Sequence, residues 1–118
     1  MSITAHRVRE LVAALADAEE GAHHGHPDFR VNKRIFATLS EAEDRAALRL
    51  TSVEARALAE RTPGVFRLVS DREPVTWISV LLASADETEF GDLLEEAWSL
   101  RVNEKPPARS RRRVKREG

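Results

Sequence analysis

Apolar residues recur with helical spacing in three stretches of the chain. The first stretch predicts a helix over residues 4–16, whose apolar stripe consists of Val8, Leu11, Val12 and Leu15. Thr51 and Glu54 have the capping-box spacing, which predicts a second helix over residues 52–61. Asp86 is placed to cap a third helix, whose stripe consists of Phe90, Leu93, Leu94, Ala97 and Trp98.

Strands are predicted between these helices. Residues 29–31 and 34–39 form a predicted hairpin around a two-residue turn at Asn32 and Lys33. The period-2 alternation in residues 34–39 puts alternate side chains on opposite faces, with Ile35, Ala37 and Leu39 on one and Arg34, Phe36 and Thr38 on the other. Further strands are predicted at 45–50, 65–69 and 75–82, with a weaker edge strand at 18–24.

These elements predict an α+β fold with the order α-β-β-β-α-β-β-α. Adjacent strands with short connections pair antiparallel, which gives a sheet of about five strands with three helices packed on one face. The nearly continuous apolar strand at 75–82 is expected in the middle of the sheet. We expect residues 1–103 to form one domain. Residues 104–118 lose apolar periodicity, which predicts a basic, disordered tail.

Charge is distributed unevenly along the 118 residues. Residues 105–118 hold seven basic residues and one acidic residue, a net +6, whereas the rest holds 12 basic and 19 acidic residues, a net −7. The absence of cysteine excludes a disulfide framework, thiol catalysis and cysteine-ligated zinc. No apolar run approaches the roughly 18 residues of a membrane span, and the N-terminus lacks a signal pattern. We therefore expect a cytoplasmic protein with no membrane attachment.

The stretch from Gly25 through Val31, followed by Lys33 and residues 35–39, resembles the central signature of the MmcQ/YjbR family. A tryptophan in a later strand and an acidic final helix extend this resemblance over about residues 4–102. The resemblance implies a compact frataxin-like (CyaY-like) arrangement and a DNA-binding role attached to a double-wing motif. The signature residues, which we interpret as mainly structural, are His26, Pro27, Phe29, Phe36, Trp77 and Trp98.

Metal binding and catalysis are the alternatives that the sequence supports least. His23, His24 and His26 with Asp28 suggest a metal site, but no cysteine assists and no further ligand is evident. The simpler interpretation is that His26 hydrogen-bonds the turn and the other histidines face water. No serine lies in a nucleophile-elbow sequence. We therefore expect no metal, no cofactor and no enzymatic activity.

Two basic segments are candidates for nucleic-acid contacts. Arg30, Lys33 and Arg34 cluster at the predicted hairpin tip, where a basic β-ribbon can contact phosphates. The alternative for this tip is an ordinary exposed turn, with Arg30 paired to Asp28 or a nearby glutamate. The tail adds contacts of low affinity and high salt sensitivity, without base stacking, from Arg109, Arg111, Arg112, Arg113, Lys115 and Arg116.

Two classes of function remain open. The first is a non-enzymatic monomer that binds DNA with weak sequence specificity through the hairpin and the tail. The second is a protein- or small-ligand-binding module that uses the open face or an edge strand of the sheet, and the acidic body favours this class. A ligand pocket between sheet and helix, lined by Phe66, Trp77 and Trp98, is an alternative to the core positions that aromatic residues more often occupy.

Overall fold

A computed structural model describes residues 3–104, which form three α-helices, a short 3-10 helix (Leu82–Ser84) and six strands. The helices are α1 (Ala5–Ala13), α2 (Ser52–Arg61) and α3 (Glu87–Val102), and the strands are β1 (Glu19–His23), β2 (His26–Val31), β3 (Arg34–Leu39), β4 (Arg45–Thr51), β5 (Phe66–Leu68) and β6 (Val75–Leu81).

The predicted disorder of the tail concerns residues outside this described range. No helix within it combines the length and apolar character needed to cross a membrane. The cytoplasmic location and the monomeric state stay predictions.

The strands form one antiparallel sheet in the order β1-β2-β3-β4-β6-β5. The α+β class and the antiparallel pairing predicted from the sequence are confirmed. The predicted count of about five strands is too low, because the weakly patterned segment before the hairpin pairs with β2 along its whole length and forms an edge strand. β6 lies between β4 and β5, one strand from the edge instead of in the middle. The frataxin-like arrangement stays a prediction.

The core lies between one face of the sheet and the three helices. Ala37, Leu48 and Ile78 lie side by side on neighbouring strands, and each is at most 1% exposed. The helices cover this face with apolar side chains, which are Val8 and Val12 on α1, Ala55 and Leu58 on α2, and Phe90, Leu93, Leu94 and Ala97 on α3. The opposite face of the sheet carries no helix of the described chain and is called the open face below.

A β-bulge interrupts the hairpin of β2 and β3. Phe29 pairs with Ala37, but the next residue, Arg30, pairs with Ile35, so Phe36 is skipped in the register. Phe36 and Ala37 are therefore both buried in the core, and Ile35 lines the open face. The strict alternation predicted for this strand is wrong, because a bulge adds one residue to a strand and reverses the faces beyond it.

The turns and helix caps follow the sequence closely. Asn32 and Lys33 both have positive φ, 54° and 66°, as a two-residue hairpin turn requires. The Thr51 hydroxyl accepts a hydrogen bond from the Glu54 amide, and the Asp86 carboxylate caps α3 in the same way. The predicted bounds of α2 are confirmed.

Two carboxyl groups meet between α2 and α3, and their repulsion yields a pH prediction. The hydrogen bond with Glu96, followed by burial and the charge of Glu96, raises the pKa of Glu54 to about 7. The folded protein therefore binds more protons than the unfolded chain between about pH 4.5 and 7, and its stability falls as the pH rises through this window. We expect Glu54→Gln to remove the repulsion and raise the melting temperature at pH 8 by about 4 °C, with little change at pH 4.

The matched control for this prediction is Glu95→Gln, which removes the same charge at an exposed position of α3. Thermal unfolding followed by circular dichroism at several pH values measures both variants. An equal response of the two variants to pH would contradict the assignment of the coupling to Glu54 and Glu96.

Candidate ligand-binding cleft on the open face

The open face of the sheet holds a cleft of about 570 Å³. Thr38 pairs with Ala47 across β3 and β4, and these small side chains leave space above the centre of the sheet. Trp77 lies on β6, directly opposite Arg49 of β4, and forms one wall. The other residues lining the cleft are His23, Arg30, Lys33, Arg34, Ile35, Val69 and Arg101. A smaller depression of about 300 Å³ adjoins it and is bordered by His26, Arg45 and Ser79.

Positive charge predominates on the sheet and negative charge on the helices. The six strands and the turn at residues 32–33 carry six basic residues and three acidic residues, the latter being Glu19 and Glu20 on β1 and Asp28 on β2. The three helices carry five basic and eight acidic residues, and five of these acidic residues lie on α3. Within residues 3–104, no ion pair is formed by the side chains of Lys33, Arg45 and Arg67. The open face is therefore a cationic surface on a domain whose net charge is negative.

A buried carboxylate orients the β2 side of the cleft. Asp28 is completely buried although it lies on the open face, because the side chains of Arg30 and His23 cover it. Arg30 donates to both carboxylate oxygens at 2.9 and 3.0 Å, and His23 Nδ1 lies 2.8 Å from Oδ2. The bond from Arg30, helped by His23, lowers the pKa of Asp28 against the opposing effect of burial. A Cβ at Gly21 would lie 3.0 Å from Asp28 Oδ1, so glycine leaves room for this group.

Asp28→Asn is expected to lower the free energy of unfolding by about 2 kcal/mol at pH 7. The amide adds a donor where the neighbouring guanidinium needs an acceptor. The cost stays below that of a fully buried pair, since the Arg30 side chain is 38% exposed and can be hydrated. Because the folded pKa is depressed, the difference from wild type should shrink as the pH falls below roughly 4. Urea denaturation measures the free energy of unfolding. Asp92→Asn is the control, because it makes the same substitution at an exposed position. Equal stabilities of the two variants at pH 7 would contradict this role for Asp28.

Three arginines surround the carboxylate of Glu104 at one end of the cleft. Arg101 Nη1 and Arg34 Nη1 lie 2.6 and 3.2 Å from Oε1, and Arg49 Nη2 lies 2.7 Å from Oε2. Burial acts to raise the pKa of Glu104, but hydrogen bonds from Arg101 and Arg49 outweigh it and hold the pKa below its usual value. Arg101 Nε also donates to the Ile35 carbonyl at 2.9 Å, which ties the end of α3 to β3.

The residues predicted at the hairpin tip lie together at the cleft but differ in their partners. Arg30 is paired with Asp28, as the alternative interpretation proposed, and Arg34 is paired with Glu104. Lys33 is exposed at the tip and lines the cleft. The tail cations, Arg109, Arg111, Arg112, Arg113, Lys115 and Arg116, lie outside the described residues, so their role stays a prediction.

The histidine-rich turn takes part in the hairpin and the cleft. His24 and Gly25 form the β1–β2 turn with φ of 52° and 79°, and His23 is paired with His26 at its base. His23 is exposed to water, as expected, and its Nδ1 also donates a hydrogen bond to the buried Asp28 carboxylate. Within residues 3–104 no group of three or more metal-binding side chains is close enough to hold an ion.

The signature residues divide between the core and the cleft. Phe29 and Phe36 are buried in the core with Phe66, and Trp98 packs against it while its Nε1 donates to the Ala16 carbonyl. Trp77 is half-buried on the open face, so the interpretation of it as a core residue is wrong. On β6, Ile78 and Val80 face the core, whereas Trp77 lines the cleft and Ser79 borders the adjoining depression.

Arg45, Arg49 and Arg101 belong to the cleft region but were not among the candidates predicted from the sequence. For β4 a signal existed, since Arg45 and Arg49 alternate with buried Ala46, Leu48 and Leu50 and therefore share the open face. For Arg101 no local signal exists, because its place depends on how α3 packs against β3.

Comparisons with known proteins agree with this architecture. The family model described as YjbR matches residues 13–100. A crystal structure of a Deinococcus radiodurans protein with the family domain DUF419 is 18% identical, covers 94% of this chain and 87% of its own, and superposes with a TM-score of 0.77. A Pseudomonas syringae protein is 16% identical, with 83% of this chain and 98% of its own covered and a TM-score of 0.67. A search of curated proteins gave no match.

These two structures share the fold of the described domain, and their identities are too low to transfer a role to any residue of the cleft. The family match covers most of the chain, including the hairpin, the open-face strands and nearly all of α3. The resemblance noted in the sequence is thereby confirmed, and the chain belongs to the YjbR family.

Proposed function

We propose that this protein is a non-enzymatic nucleic-acid-binding protein that contacts phosphates with the open face of its sheet and its basic C-terminal segment. Sequence specificity is weak, because the contacts are made to the phosphate backbone. The observation that supports the proposal most is the excess of positive charge on the sheet: its six strands and the hairpin turn carry six basic and three acidic residues, whereas the helices carry more acidic than basic residues.

The negative net charge of the domain does not oppose this role at short range. The charge of −7 acts on DNA over long distances, but screening at physiological salt limits that repulsion to about 8 Å. A strand approaching the open face meets Lys33, Arg45 and Arg67, whose side chains are not engaged by carboxylates within the described residues. Their positive charge is available to phosphates, with release of the counterions that condense on nucleic acid.

The cleft adds an apolar surface to these charges. Trp77 and Ile35 line it beside the arginines. Proteins that bind single-stranded nucleic acids stack the bases on aromatic rings that are flanked by cations, and Trp77 has these surroundings. The basic segment 105–118 continues directly from Glu104, which is held at the end of the same cleft. The last described residue before the basic segment therefore lies at the cleft.

Matched charge variants test the proposal. Lys33→Gln with Arg67→Gln removes two charges from the open face, and Arg56→Gln with Arg61→Gln removes two from α2 on the opposite side. We expect the first pair to weaken binding of a fluorescein-labelled DNA 20-mer about tenfold at low salt, and the second pair to change it less than twofold. Fluorescence anisotropy with single-stranded and duplex probes measures both. Equal losses for both pairs, or no binding by the wild-type protein, would overturn the proposal.

A small anionic ligand is the second candidate, favoured by the size of the cleft. Its volume of about 570 Å³ falls within the roughly 300–1,000 Å³ of small-molecule sites. Such a ligand at 100 times its dissociation constant would stabilise the fold by about 2.7 kcal/mol. A thermal-shift screen with nucleotides and phosphorylated metabolites therefore separates the candidates: a shift together with no oligonucleotide binding favours the small ligand.

A further inference from the structure

The position of Glu104 is unfavourable for a carboxylate in the absence of the arginines. Glu104 directly follows Asn103, the C-terminal cap of α3. The helix dipole places partial negative charge at this end, which disfavours an acidic side chain in the last turn. The contacts with Arg34, Arg49 and Arg101 overcome this effect, so the arginine cluster itself determines where Glu104 lies.

The cluster holds more positive charge than Glu104 can balance. Arg49 and Arg101 both face the single carboxylate of Glu104, which leaves one of their two positive charges in excess. Water compensates this excess poorly, because the side chains of Arg49 and Arg101 are only 13% and 18% exposed. Burial lowers the pKa of Arg101, and the neighbouring charges of Arg49 and Arg34 also lower it while Glu104 opposes them. A group with two negative charges would balance the cluster better than a carboxylate does.

The cluster opens onto the cleft at the tryptophan. Arg34 and Arg101 line the cleft together with Trp77, and Arg49 is the direct cross-strand neighbour of Trp77. Side chains at directly opposed positions lie about 5 Å apart at their Cβ atoms. An anion bound by the arginines would therefore place the group attached to it against the indole ring. A phosphate carrying a nucleoside has this shape and charge.

We propose that Arg34, Arg49 and Arg101 form a phosphate-binding subsite, which Glu104 occupies in the free protein and which a phosphate of a bound nucleic acid takes over. Arginine suits this role, because its planar guanidinium binds phosphate and carboxylate oxygens through the same paired donors. The choice of nucleic acid as the source of the phosphate rests on the proposed function. The subsite itself rests on the geometry of the cluster and also accepts free inorganic anions.

Removing the competing carboxylate is the direct test. Glu104→Gln keeps the side-chain size and removes the charge, and Glu95→Gln makes the same charge change on the exposed side of α3. If Glu104 occupies the subsite about nine-tenths of the time, Glu104→Gln should tighten binding of the labelled DNA 20-mer about tenfold relative to Glu95→Gln. Arg49→Gln alone should weaken binding of the DNA 20-mer. When Arg49→Gln is combined with Glu104→Gln, the roughly tenfold gain in affinity from Glu104→Gln should be lost. Circular dichroism checks the folding of each variant, and Glu104→Ser replaces the glutamine variant should that one unfold.

A second probe separates failure of the subsite from failure of the proposed function. Inorganic pyrophosphate is titrated into the Glu104→Gln protein, and the Nε–H signals of the three arginines are followed by NMR. Shifts of these signals, stronger than in wild type, support the subsite even when no variant binds the oligonucleotide. Unchanged arginine signals with pyrophosphate, or equal DNA affinities of Glu104→Gln and Glu95→Gln in a protein that binds DNA, overturn it.

Discussion

Deletion of residues 105–118 is expected to weaken binding to duplex DNA about a hundredfold at low salt. The deleted segment carries a net charge of +6, and the remaining domain carries −7. Each phosphate neutralised by a cation contributes roughly 0.9 to the slope of log affinity against log salt. The deletion should therefore reduce this slope by as much as about 5, while the open face retains weaker binding of its own. Anisotropy titrations over a range of salt concentrations measure both quantities.

A full-length variant with the seven basic residues of the segment changed to glutamine is the control, since it preserves chain length. It should behave like the deletion, because charge is the property that matters. Wild-type affinity in either variant would show that the segment contributes nothing to binding, and the open face alone would then carry the proposed function.

Phe36→Ala is expected to lower the free energy of unfolding by about 4 kcal/mol. The bulge in the β2–β3 hairpin buries this ring completely in the core, where its removal leaves a cavity that the sheet cannot close. The neighbouring Ile35 is the matched control, because the same bulge turns it to the open face. Ile35→Ala should cost only about 1 kcal/mol.

Urea denaturation of the two variants tests the bulge directly. The alternation in the sequence predicts the reverse order, with Ile35 beside Ala37 and Leu39 and with Phe36 on the other face. A larger loss of stability for Ile35→Ala than for Phe36→Ala would contradict the register of the hairpin described above.

Most of the fold was predictable because its signals are local. The apolar stripes and capping residues determined the helices, and the bounds of α2 follow from Thr51, Glu54 and the Pro63-Gly64 break. The Asn32-Lys33 turn was predictable because asparagine tolerates positive φ. The first strand was the weakest prediction, since residues 19–23 lack β-branched residues and depend on pairing with β2.

The features that were missed depend on contacts between distant parts of the chain. The bulge at Phe36 follows from pairing with β2 and leaves no mark on the alternation of β3. The side occupied by Trp77 follows from its pairing with Arg49 in a strand that is apolar at nearly every position. The cluster around Glu104 contains Arg49 and Arg34, which precede Glu104 by 55 and 70 positions in the sequence. Its third arginine, Arg101, precedes Glu104 by only three positions. Sequence patterns of periods 2 and 3.6 carry no information on such contacts.

The two tryptophans of the chain report separately on the two sides of the sheet. Trp77 lines the cleft on the open face, whereas Trp98 lies on the helical side and its indole N–H is bonded to the Ala16 carbonyl. Each contributes one indole signal to a ¹⁵N-correlated NMR spectrum, so a single titration with DNA compares both faces. Binding at the open face predicts that the Trp77 signal shifts with increasing DNA while the Trp98 signal stays in place. A shift of Trp98 with an unchanged Trp77 would contradict the assignment of nucleic-acid binding to this face.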